Sequence, residues 1–211
     1  MVYKFDPTYW NGTIFLFEEF HMSRGWTKYV GRNKPIPASY FPKSLTVSDA
    51  SAELPDIFHT NRDLIVFSGR ARIVMEKWAP GEVEFIPVAV NSEKKIAHRL
   101  QLDSAYYFIN VLARAQRFQW LDMPVDPFPI GEDGIGRFGS MQDYRQWKLR
   151  QRAPNEPLIW HESWWHVDGK EYRGHVDILV EDILRQELDT NFPDQLNALR
   201  VGEFDAALAA A

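Results

Sequence analysis

The sequence predicts an α+β fold: a mixed, largely antiparallel sheet, a main helix over 61–78 on one of its faces, and a C-terminal hairpin followed by a short helix. Three observations carry this. One stretch alone has sustained helical spacing of apolar residues, several short stretches rich in β-branched and aromatic residues are bounded by Gly, Pro and Asn, and an Asp-Gly pair sits between two such stretches. With 211 residues, 45 % hydrophobic and 25 % charged, the chain has ordinary globular composition and length enough to bury a core without a metal staple.

Residues 1–53 are rich in Pro, Gly and aromatics and read as a strand-and-loop N-terminal part, with "TIFLFEE" (13–19) as a strand and "NKPIP" (33–37) as a breaker. An α+β core follows over 54–200. Leu64, Phe67, Ala71, Val74 and Trp78 recur at helical spacing, which predicts the 61–78 helix with Thr60 or Asn61 as N-cap and "PG" (80–81) as its stop. "EVEFIPVAV" (82–90) alternates as a strand, and its proline suggests a sheet edge. "AYYFINVLA" (105–113) is apolar nearly throughout, as in a strand buried on both faces. A punctuated loop spans 122–140, and "VDILVEDILRQEL" (176–188) runs from a strand into a short helix begun near Asp182. The alanine-rich end, 201–211, reads as a frayed tail.

Composition removes several functions. With no cysteine there is no disulfide, thiolate nucleophile, zinc knuckle or Fe–S ligation. The N-terminal residues lack a basic region followed by an apolar one, and no run of 18 apolar residues occurs, so a cytoplasmic protein with no membrane partner is expected. A formal charge of −5 argues against a nucleic-acid partner, because phosphate neutralisation needs clustered Lys and Arg. "GIGRFG" (134–139) has the spacing of a dinucleotide loop but follows the proline-bracketed "DPFPI" rather than a strand. Pro55-Asp56 with the distant Glu93-Lys94-Lys95 is too loose to indicate a nuclease.

The stretch "IWHESWWHVDGKEYRGHV" (159–176) has the density of histidine and acid that a metal site needs. Its geometry is wrong for one. His161 and His166 are five residues apart, about 140° away from a shared helix face and on opposite faces of a strand. The Asp168-Gly169 pair instead predicts a two-residue hairpin turn, with Val167 opposite Lys170. One face then carries Glu171 opposite His166, Arg173 opposite Trp164 and His175 opposite Glu162; the other carries Tyr172 opposite Trp165, Val176 opposite His161 and Ile178 opposite Ile159. Neither a bound metal nor any other cofactor is expected. A tryptophan beside an arginine within a polar rim is the composition of a protein-binding hot spot. Trp164, Arg173, Glu162, Glu171 and His166 are therefore candidate partner-binding residues, with Glu132 and Asp133 of "GEDGIG" (131–136) as an acidic flank.

"LPDIF" (54–58), "DLIVFSGRARIVMEKW" (63–78) running into "GEVEFIPVAV" (81–90), "YYFINVLARAQRFQWLD" (106–122) and "VDILVEDILRQEL" together resemble a bacterial polymorphic-toxin immunity family first catalogued as a domain of unknown function. Ser68, Asn110 and Asp122 fall on positions of that pattern, and the resemblance spans roughly 54–192. The chain departs from it in "RFQW" before Asp122, where an acidic residue is usual, and in its aromatic-rich N-terminal part. What the resemblance implies is a cytoplasmic, non-catalytic protein of interbacterial competition that neutralises a cognate protein toxin by stoichiometric occlusion. The alternatives are a metal-dependent hydrolase using the His161–His175 cluster and an adaptor protein of a secretion system. The oligomeric state is not legible.

Overall fold

The computed structural model describes residues 1–8, 13–15, 35–49, 54–60, 64–93, 105–118, 148–163, 165–167, 170–172 and 177–204. The N-terminal strands are β1 (Val2–Lys4), β2 (Thr13–Phe15) and β3 (Ser44–Asp49). Then come β4 (Ile57–His59), β5 (Ile65–Ser68), α1 (Gly69–Trp78), β6 (Val83–Ser92), β7 (Tyr106–Val111) and β8 (Arg114–Ala115). The C-terminal part supplies β9 (Lys148–Leu149), β10 (Ile159–Glu162), β11 (Trp165–Val167), β12 (Lys170–Tyr172), β13 (Ile178–Glu181), α2 (Asp182–Asn191), β14 (Arg200–Val201) and β15 (Glu203–Phe204).

The fold is α+β, built on two mixed, largely antiparallel sheets where the sequence suggested one. A six-stranded sheet has the order β2-β3-β6-β7-β5-β4, with β3 and β6 parallel. A five-stranded sheet has the order β14-β1-β13-β10-β8, with β10 and β8 parallel. Alternation along the central strands divides the apolar residues between two cores. Ile65, Phe67, Ile109 and Val111 face a core that they share with Ala71 and Met75 of α1, Leu184 and Leu188 of α2, and Ile159 and Val180 of the five-stranded sheet. Leu64, Val66, Tyr106 and Phe108 face the other, filled by Phe41, Leu45 and Val47. Both sheets draw strands from either side of residue 53. No helix among the described residues is long and apolar enough to cross a membrane.

The main helix is shorter than 61–78, because Ile65–Ser68 form a strand and the helix begins at Gly69. The run Ile65-Val66-Phe67 favours the extended state through its β-branched and aromatic side chains. Leu64 and Phe67, three residues apart, fit a helix stripe but point into different cores. Ser68, not Thr60 or Asn61, is the N-cap: its Oγ accepts from the Ala71 amide at 3.2 Å. Thr60 instead holds the β4–β5 connection, its Oγ1 accepting from the Leu64 amide at 3.2 Å. The helix stops where "PG" predicts, with Gly81 at φ 76°. The C-terminal strand passes into helix at Asp182 as expected, and that acid sits in the favourable first turn.

The strand around Pro87 is not an edge: β6 pairs with β7 on one side and β3 on the other. The proline is tolerated because β3 pairing begins only at Ala89, whose amide donates to Lys43 O at 2.9 Å. Alternation turns the nitrogen of Pro87 toward that same side, short of the β3 ladder. At the C-terminal end, Val201, Glu203 and Phe204 are strand-paired, so the expected frayed tail does not begin at 201.

Candidate functional site

The hairpin strands pair in the predicted register on either side of Asp168-Gly169, which lie outside the described residues: Trp165 pairs with Tyr172, His166 with Glu171 and Val167 with Lys170. Further from the turn the register differs. Ile159 lies opposite Val180 and His161 opposite Ile178, two residues on from the predicted partners. An even offset keeps the β10 and β13 residues on their predicted faces. Ile159 accordingly points into the shared core, and Trp160 and Glu162 point the other way.

That second face is where the expectation fails. Glu162, placed by sequence on an exposed polar face, is only 3 % exposed. The cover comes from β8, which runs parallel to β10 and continues across this face as Gln116–Phe118, backed by residues 148–150. Glu162 Oε1 accepts from the backbone amides of Arg117 at 2.6 Å and Phe118 at 3.0 Å, and Oε2 accepts from Trp160 Nε1 at 3.2 Å. Burial pushes its pKa up to about 7, against the opposing effect of these three donors and of the nearby Arg117 charge. Arg117 is fully buried. Its Nη1 donates to Glu181 Oε1, its Nη2 donates to Arg150 O at 3.2 Å, and its guanidinium lies 4.8 Å from the centre of the Trp160 ring. A carboxyl titrating near neutrality has the proton affinity of a general acid or base. Here both oxygens are engaged by N–H donors inside the core, so the group fastens β10 to the 117–118 backbone.

Among the other candidates, His166 and Glu171 are register partners of β11 and β12, while Trp164, Arg173, Glu132 and Asp133 lie outside the described residues. His161 is half-buried on β10, and its amide donates to Ala113 O at 3.1 Å. Among the described residues no three His, Asp or Glu groups are placed to hold a metal ion.

A second polar cluster centres on Asp56. Its Oδ1 accepts from Ser68 Oγ and from Arg70 Nε at 3.1 Å, its Oδ2 accepts from Arg70 Nη2 at 2.6 Å, and its carbonyl accepts from the Ser68 amide at 2.7 Å. Asp56 and Ser68 are buried, whereas the Arg70 side chain is 76 % exposed. Asn110 is likewise buried, its Nδ2 donating to Ile36 O at 2.7 Å and to Glu84 Oε2 at 2.8 Å. The sequence singles out Ser68 and Asn110 only through the resemblance, and Asp56 through the "LPDIF" of that resemblance and as half of a loose nuclease pattern. Arg117 carried no local signal, because its partners come from β10, β13 and the 150 region.

The fold thus defines an α+β protein whose buried polar groups tie strands together. No protein-family model and no curated protein matches the chain.

Proposed function

We propose that this is an immunity protein that binds a cognate bacterial toxin in the cytoplasm and neutralises it by stoichiometric occlusion, without catalysis. The observation that carries the reading is what the family-like residues do here. Asp56, Ser68 and Asn110 are buried hydrogen-bonding groups that cap α1 and join the 35–37 segment to β7. Residues shared for scaffold rather than for chemistry suit a family that keeps a fold and varies a contact surface.

The contact surface of the proposal is the hairpin face with Trp164, Arg173, His166 and Glu171, flanked by Glu132 and Asp133. Glu162 leaves that set because it is buried. The test is co-expression with the product of the adjacent gene. The reading expects growth rescue and a complex of equal stoichiometry by light scattering. Trp164→Ala should weaken that complex by about thirtyfold, the ratio for roughly 2 kcal/mol at a hot spot. A toxin that kills despite saturating amounts of this protein would overturn the reading.

A further inference from the structure

Arg70, Arg72, Arg117, Arg150 and Arg185 each hold a carboxylate. Arg114 does not. Its Nη1 donates to Val111 O at 2.8 Å and Ala113 O at 2.9 Å, while Nε and Nη2 have no acceptor among the described residues. Those two atoms form the side-on fork of the guanidinium, the same fork with which Arg70 grips Asp56. In Arg114 the fork is held in place by the two Nη1 bonds, so little side-chain freedom remains to be lost on binding. The residue lies on β8, the terminal strand of the five-stranded sheet, half-buried and across from His161.

We propose that the Nε/Nη2 fork of Arg114 receives a carboxylate presented by a protein partner. Burial lowers the Arg114 pKa to about 10, and no acidic group among the described residues opposes it, so an incoming carboxylate would relieve an uncompensated charge. A planar fork matches a carboxylate in two parallel bonds. One guanidinium, with no helix N-terminus or cluster of cations beside it among the described residues, is a poor phosphate receptor. A single contact on a sheet edge holds a free acid weakly. An Asp or Glu carried in an interface is held at high effective concentration by the contacts around it.

The inference names a contact for the toxin reading and depends on that reading only for the partner's identity. In the isotope-labelled full-length chain, the Arg114 Nε–H resonance is assigned by its loss in Arg114→Lys, or in Arg114→Gln should the first variant misfold. It is then followed during titration with sodium acetate, sodium chloride or sodium phosphate at matched ionic strength. Acetate should displace it along a saturation curve, several-fold more than chloride does, while the Arg70 resonance stays put. Equal displacement by acetate and chloride, or displacement by phosphate alone, overturns the carboxylate site. No toxin is present, so this outcome is independent of whether a toxin complex forms. With the toxin in hand, Arg114→Lys should weaken the complex about tenfold, as loss of a bidentate contact does. Unchanged affinity would overturn the protein-partner assignment even where acetate binds.

Discussion

Glu162 makes the stability of this protein depend on pH in a direction opposite to most carboxylates. Its folded pKa is raised from 4.5 to about 7, so between those values the native state holds a proton that the unfolded chain releases. Its contribution is fully present below about pH 4.5 and is lost as pH rises through about 7. The size is roughly 3 kcal/mol, at about 1.4 kcal/mol per pKa unit. Glu82 is raised by burial as well and adds to the same slope, whereas Glu156, lowered by Arg150, works against it. Comparing the chain with Glu162→Gln therefore isolates this group. Urea unfolding at pH 5 and pH 8 should show a smaller stability difference in the variant than in the parent; equal differences would mean that Glu162 does not titrate in the fold. The glutamine should also lower stability at both pH values, since one of its two former acceptor atoms becomes an NH₂ group. The Asp56 cluster makes a second residue-scale prediction. Asp56→Ala, which strips a buried network, should cost about 2–3 kcal/mol. Ser68→Ala, which removes a cap, should cost about 1–2 kcal/mol. Arg70→Ala, an exposed ion-pair partner, should cost less than about 1 kcal/mol. Chemical denaturation that ranks Arg70 first would contradict this account.

At the scale of elements, what the sequence made legible was local. The hairpin tip follows from Asp168-Gly169, the strand-to-helix passage at Asp182 from a period change, and the end of α1 from Pro80-Gly81. What misled was tertiary. Leu64 and Phe67 sit in different cores, and only the presence of both cores distinguishes that arrangement from a helix stripe. Pro87 suggests an edge, yet its missing donor matters only where a neighbour is paired, and β3 stops short of it. The burial of Glu162 has no local signal because the chain that covers it lies 44 and 45 residues upstream, at Phe118 and Arg117. Gly81 gives this scale its prediction. A Cβ there would meet nothing within 4 Å, so the cost of Gly81→Ala is that of the left-handed backbone alone, about 1 kcal/mol. Gly81→Asn should cost less, because asparagine tolerates that conformation. Equal thermal midpoints for glycine and alanine would show that the turn relaxes to another conformation.

At the scale of the molecule, the two sheets are joined by segments distant in sequence. β1 lies between β13 and β14: Val2 pairs with Glu181 on one side and Val201 on the other. The Phe5 amide donates to Ile178 O at 2.8 Å, and its ring packs 5.9 Å from that of Phe67 in the shared core. The span 54–192 therefore lacks the strand between β13 and β14, β14 itself, and the Phe41, Leu45 and Val47 side chains that fill the second core. Burial of Val2 and Phe5 alone is worth roughly 1.5–3 kcal/mol each, and the lost ladder adds to it. A domain of this kind has only about 5–15 kcal/mol in total. Deletion of residues 1–8 should thus abolish the cooperative urea transition, and the isolated 54–192 fragment should lack one from the start. Phe5→Ala grades the effect, with an expected loss of about 3–5 kcal/mol for a buried phenylalanine. Cooperative unfolding of the 54–192 fragment with an undiminished midpoint would instead establish that span as the folding unit and the N-terminal strands as an attachment to it.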